Sequence, residues 1–183
     1  GRSAVVKMLD EEEREMDFLT LARERFSVLE YEYRDVEAEK LEKILAAALA
    51  APTACNLQPQ RIVLIDTEEK RQKLNDAVPG GHFAPAAFLV CYDSRACWVR
   101  LQDGKSSGEI DASIAATHMM LEATDLGLGS IWVMSWDVGK VKETFALEAH
   151  IEPVALLIVG YRAANATPRQ GHFASKTRED ILL

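Results

Sequence analysis

From Glu37 to Ala50 the apolar residues Leu41, Ile44, Leu45, Ala48 and Leu49 fall three and four apart, and Pro52 follows. That spacing predicts an amphipathic helix stopped by proline. Earlier, Glu11 to about Arg25 sets Met16, Leu19 and Leu21 among charges and predicts another helix. The pattern then changes period. Arg61–Ile65, a run with β-branched residues, and the apolar runs Ala86–Tyr92, Ser130–Ser135 and Val154–Tyr161 predict buried strands. Between them, Thr67 is placed to cap a helix over Lys70–Asn75, Val78-Pro-Gly-Gly81 is a breaker, and Val138–Phe145 is a short helix. Glu109–Leu126 is a long helix ended by Gly127-Leu-Gly129, and its small residues Ala112, Ala115, Ala116 and Ala123 invite close packing against a copy of itself.

The alternation of helices and strands by itself suggests a doubly wound parallel sheet. Ala163–Ile181 carries no convincing period. A tail of that length without a core pattern needs another surface to hold it, and a partner subunit would provide one. No repeat or linker divides the chain, so a single domain over 1–183 is expected.

Composition changes this picture little. Hydrophobic content of 48% and charged content of 27% over 183 residues are ordinary for a globular domain. The formal net charge of -8 argues against nucleic acid, which would want a basic face. An anionic cofactor is still compatible with a local cluster of arginines. Asp10-Glu-Glu-Glu13 is expected to be a solvated helix end. Cys55, Cys91 and Cys97 lack metal or disulfide spacing, and the four histidines show no metal motif. No apolar run spans a bilayer and no leader is evident, which gives a cytoplasmic expectation with no membrane partner.

Two segments carry candidate chemistry. Arg23-Glu-Arg-Phe-Ser27 sets two guanidinium groups and a hydroxyl where a helix should end, a donor set that suits phosphate. An ordinary basic helix end is the alternative. Ala51-Pro-Thr-Ala-Cys-Asn-Leu-Gln-Pro-Gln-Arg61 is a polar loop between a helix and a buried strand. Its amides match a heteroaromatic ring edge that both donates and accepts, and a plain connecting loop fits equally.

That loop resembles the flavin loop of the FMN-dependent nitroreductase family. Arg25-Phe-Ser27 resembles the family's phosphate motif, and Ile110–Met120 its central helix. Gly127–Val133 resembles the turn and strand beneath the flavin, Glu152–Tyr161 the strand that follows, and Lys176-Thr-Arg178 the C-terminal Lys-x-Arg. The resemblance leaves out the first 20 residues or so, which read as an N-terminal helical extension.

The resemblance implies an α+β fold: a mixed, mainly antiparallel sheet flanked by helices, in an intertwined homodimer with shared flavin sites. The long helix would lie at the interface, and the 163–183 tail would reach the partner. Arg25 and Ser27 would hold the FMN phosphate, joined by Lys176 and Arg178. Pro52, Thr53, Ala54 and Asn56 would approach the ring from the other subunit, with Val133 and Met134 near N5. NAD(P)H would be the reductant, and a nitroaromatic or quinone the acceptor. Flavin reduction, dehalogenation and non-enzymatic flavin binding or sensing are alternatives on the same scaffold.

Relatives often carry Arg or Lys two residues after the serine, near the flavin N1 and O2 edge; here Leu29 stands there, with Arg23 or Arg61 as possible substitutes. A cation at that edge stabilises the anionic reduced ring. No catalytic acid, base or nucleophile is assigned. Cys55 is expected to be packed filler and His118 to be packed at the interface. The Trp98–Gly108 segment reads as a surface loop or a lid, and Gly104-Lys-Ser106 lacks the context of a phosphate loop.

Overall fold

A computed structural model describes residues 17–78 and 85–183. The expected start of the first helix before Asp17, the acidic run Asp10–Glu13, most of the N-terminal extension, and the Pro-Gly-Gly of the breaker lie outside the described residues. Within them, β1 (Gln60–Ile65), β2 (Ala86–Asp93), β3 (Gly129–Val133) and β4 (Ile151–Gly160) form one sheet in the order β1-β2-β4-β3. Every pairing between these strands is antiparallel. The parallel component comes from an isolated bridge, Ser27 to Ser130, where the Val28 N–H donates to the Ser130 carbonyl at 2.9 Å.

The mainly antiparallel α+β sheet that the family resemblance implies is formed, and the doubly wound parallel sheet that alternation alone suggests is not. Alternation of elements does not say which strands become neighbours. Here β4 inserts between β2 and β3, antiparallel to both. The β2–β4 register shifts between Val90 and Cys91, opposite Pro153. Pro153 is tolerated because β3 pairs only with residues 156–160, which leaves the other side of Pro153 without a β3 partner.

Helices α1 (Phe18–Glu24), α2 (Ala38–Ala50), α3 (Glu68–Ala77), α4 (Gly108–Asp125), α5 (Val138–Thr144) and α6 (Arg178–Ile181), with short 3-10 turns at Ala54–Asn56 and Gln170–Phe173, complete the described elements. Strand periodicity sorts the sheet into two cores. Ala86, Phe88 and Val90 of β2, with Leu157 and Val159 of β4, face Leu41 and Ile44 of α2 and the alanines of α4. Ala87, Leu89 and Cys91, with Leu156 and Ile158, face Leu74 of α3 and Val141 of α5. Each large side chain so buried contributes about 1.5–3 kcal/mol.

The C-terminus of α4 follows from Gly127. Its φ of 76° is left-handed. The Leu128 N–H reaches the Ala123 carbonyl at 2.8 Å and the Gly127 N–H the Thr124 carbonyl at 3.0 Å, a Schellman ending. The start of α4 requires Gly108, where a Cβ would stand 2.3 Å from the Tyr92 ring.

The expected self-packing of the alanine stripe is corrected. Ala112, Ala115, Ala116 and Ala123 are fully buried within the chain, against the sheet and α2. The outward face of α4 carries Ile110, Ser113, Ile114, Thr117 and His118, which line an open groove of about 500 Å³. Because the alanine face has no spare volume, Ala116→Leu should cost about 1–3 kcal/mol through overpacking. A denaturant titration giving an unchanged midpoint would show that this face is not closely packed.

Candidate functional site

Helix α1 starts at the Asp17 cap, whose carboxylate accepts from the Thr20 N–H at 3.1 Å, and ends where the backbone of Arg25 turns extended. From there side chains alternate. Phe26 and Val28 point into the second core, while Arg25, Ser27 and Leu29 share the other side. Phe26 also anchors the tail. The Arg162 guanidinium lies 5.5 Å from its ring centroid, and the His172 ring meets it edge-on at 6.1 Å.

This arrangement encloses a cavity of about 440 Å³. Arg25, Ser27, Arg169 and His172 supply its polar groups, and Leu29, Ile131 and Trp132 its apolar wall. No carboxylate is among the lining residues. A donor set of two guanidiniums, a hydroxyl and an imidazole beside an apolar wall suits a ligand with an anionic phosphate at one end and a flat ring system at the other. FMN has that chemistry, so the residues present fit it.

Arg169 and His172 were not read from the sequence, because a tail without periodicity gives no sign of which residues turn inward. Lys176 and Arg178 were expected in their place. In this single chain both are exposed and neither lines the cavity. Arg178 opens α6, which is started by a reciprocal Thr177–Asp180 capping box, and its guanidinium lies 3.9 Å from Glu179. Leu29 lines the cavity, as does Arg169, whereas Arg23 does not. Arg61 is engaged elsewhere: it donates to the Gln58 and Gln60 carbonyls at 3.0 and 2.9 Å.

The loop from Pro52 to Gln58 stands apart from that cavity, beside a second cleft of about 320 Å³ that Ala54 shares with Trp98, Lys105, Ile110 and Asp111. Pro52 and Asn56 are exposed, and Thr53 and Ala54 are half-buried. Cys55, Asn56 and Gln58 have φ of 51°, 53° and 51°. Asparagine enters this left-handed region more readily than most residues. Cys55 is exposed rather than packed, which corrects the expectation of buried filler: the turn directs it outward. The other two thiols are held protonated, Cys91 by burial that pushes it up to about 12 and Cys97 upward for the same reason. The Trp98 segment is a short hairpin, bridged between Val99 and Ser106.

Several contacts pin the loop. The Thr53 hydroxyl accepts from the Gln58 N–H at 3.1 Å, and Asp111 accepts from the Ala54 N–H at 2.9 Å. Arg61 holds the Gln58 carbonyl and lies 3.9 Å from Asp93. Val133 ends β3, its carbonyl accepting from the Trp136 indole at 3.2 Å, and Met134 beyond it is exposed.

The chain belongs to the nitroreductase family, whose model matches residues 22–81 and 77–161. A nitroreductase family protein of known crystal structure from Clostridium difficile 630 is 40% identical, with a TM-score of 0.86 over 92% of this chain and 98% of that one. An FMN-dependent nitroreductase from Clostridium difficile R20291 is 26% identical, with a TM-score of 0.68 over 86% of this chain and 98% of that one. A Methanothermobacter thermautotrophicus protein provisionally named NADH dehydrogenase/NAD(P)H nitroreductase is 30% identical over 84% of this chain and 82% of its own.

Asp93 backs the far end of the loop. Hydrogen bonds from the Arg95 side chain and backbone, with charge from Arg95 and His150, hold its carboxyl at about 2. The folded value is depressed, so its stabilisation is complete above the ordinary carboxylate value of about 4 and is lost as pH falls through the folded one. The Tm difference between wild type and Asp93→Asn should therefore shrink between about pH 4 and about pH 2. A constant difference across that window would mean that Asp93 is not held ionised.

Proposed function

We propose that this chain is an FMN-dependent oxidoreductase that carries hydride from NAD(P)H to an electron-poor acceptor such as a nitroaromatic or a quinone. The observation that carries the reading is the carboxylate-free cavity, which joins Arg25, Ser27, Arg169 and His172 to an apolar wall. When bound, FMN supplies the hydride chemistry; the chain's own residues bind, orient and shield. Arg25 and Ser27 hold the phosphate. Val133 and Met134 meet the ring where β3 leaves the sheet. No side chain is assigned as acid or base. NAD(P)H is a cytoplasmic metabolite, in keeping with a cytoplasmic enzyme, and no helix among the described residues is long and apolar enough to cross a membrane.

The working form in this reading is a homodimer. The outward face of α4, with Ile110 51% exposed, and the exposed Leu101 and Met134 give one chain more apolar surface than its fold uses. The loop carrying Pro52, Thr53, Ala54 and Asn56 stands apart from the Arg25 cavity, so it completes the flavin site of a second subunit. The tail brings Lys176 and Arg178 to the phosphate in the same assembly, and the whole chain acts as one domain.

Purified protein given excess FMN should retain about one FMN per subunit and oxidise NADH or NADPH when a nitroaromatic or quinone is present. Flavin retention without turnover on an acceptor panel would leave a binding protein, and no affinity for FMN would remove the reading altogether. Arg25→Ala should lose about 1.5–3 kcal/mol of FMN affinity without unfolding, as expected for a charge-assisted contact. An unchanged FMN titration would take Arg25 out of the site.

Truncation after Arg162 removes Arg169, His172, Lys176 and Arg178 together. The shortened chain should lose both flavin and dimer, read by gel filtration with absorbance at the flavin band. A truncated dimer that keeps flavin would show that the tail does neither job.

A further inference from the structure

Asp111 is 1% exposed on the face of α4 otherwise occupied by Gly108, Ala112, Ala115 and Ala116. A carboxylate in such a place is costly unless its oxygens are satisfied. Both are: Oδ1 accepts from the Ala54 N–H at 2.9 Å, and Oδ2 from the Ser107 hydroxyl at 2.7 Å. Its place in the first turn of α4 adds the favourable end of the helix dipole. These two donors come from different structures. Ala54 immediately precedes Cys55 and Asn56, which sit at φ 51° and 53°, conformations that persist only when the surroundings hold them. Ser107 closes the Trp98 hairpin, its N–H donating to the Trp98 carbonyl at 2.9 Å.

We infer that Asp111 is the positioning residue for flavin-ring recognition. It fixes loop 53–58 in its ring-binding shape through Ala54 and ties that loop, through Ser107, to the hairpin across the neighbouring cleft. The inference rests on the proposed flavin function. It deepens that reading by assigning ring affinity to a buried side chain that acts through the loop. Asparagine preserves the geometry, since its Oδ1 still accepts from Ala54 and its amide donates to the Ser107 oxygen. Alanine removes both contacts.

The test compares FMN with riboflavin, which lacks the phosphate, by fluorescence titration of the full chain. Loss of a hydrogen bond to a charged group predicts about a 10-fold weakening or more in Asp111→Ala. The factor should be the same for both ligands, because the loop acts on the ring. Asp111→Asn should restore most of the affinity. Arg25→Ala, the phosphate control, should weaken FMN and leave riboflavin unchanged. Ser107→Ala folds with Asp111 in place and should weaken both ligands by a smaller equal factor, with faster hydrogen exchange at Ala54. Wild-type affinity in Asp111→Ala, or a loss confined to FMN, would overturn the inference. So would wild-type exchange at Ala54 in Ser107→Ala should the alanine variant at 111 not fold. A wild-type chain without affinity for either ligand would overturn the flavin reading itself, an outcome distinct from these.

Discussion

Helix α4 lies close on the sheet, and apart from Asp111 and Met119 its buried face is built from glycine and alanine. A Cβ at Gly108 would collide with the Tyr92 ring, and Ala112, Ala115 and Ala116 are sealed against β2, β4 and α2. Close packing of this kind leaves no slack for rotation or sliding, because displacing a methyl by a fraction of an ångström already forfeits contact energy. Everything α4 carries is therefore held at a fixed height and angle over the sheet. Asp111 sits among the alanines on that rigid face, and the loop at 53–58 takes its position from it.

The loop illustrates how a strained segment is maintained. Three residues with left-handed backbone angles would relax in isolation. Here they are held from several directions: by the Thr53 hydroxyl within the loop, by Asp111 beneath it, and by Arg61 with Asp93 at its exit. Each anchor sits on a different element: the loop itself, α4, β1 and the end of β2. The loop therefore reports on the packing of the whole sheet-and-helix sandwich, and a ligand resting on it meets a preorganised surface whose ordering was completed in folding.

The Arg25 cavity is built differently. Its arginine and serine ride on an extended segment that alternates into the second core, and Phe26 in that segment meets Arg162, just past the end of β4, and His172 of the tail. Aromatic contacts of Phe26 thus place a polar cavity. The net charge of -8 is no obstacle, since no acidic side chain lines the cavity and the field there is set by its nearest groups.

Much of this was legible in the order of residues. Apolar periodicity located the strands and helices to within a few residues, because burial on one face forces a period that composition cannot hide. The loop at 51–61, Arg25 and Ser27 stood out as motifs, and the structure brings Arg25 and Ser27 to one cavity while the loop borders another. What the chain could not declare were relations between distant segments. Antiparallel insertion of β4 between β2 and β3, the inward turn of the alanine stripe, and the arrival of Arg169 and His172 opposite Arg25 all depend on which surfaces meet. Asp111 left one trace in the sequence, a lone acid in register with the small buried residues of its helix. That trace acquires meaning only when tertiary packing brings the Ala54 N–H within 2.9 Å of it, because a buried carboxylate is stable only where the fold delivers it donors.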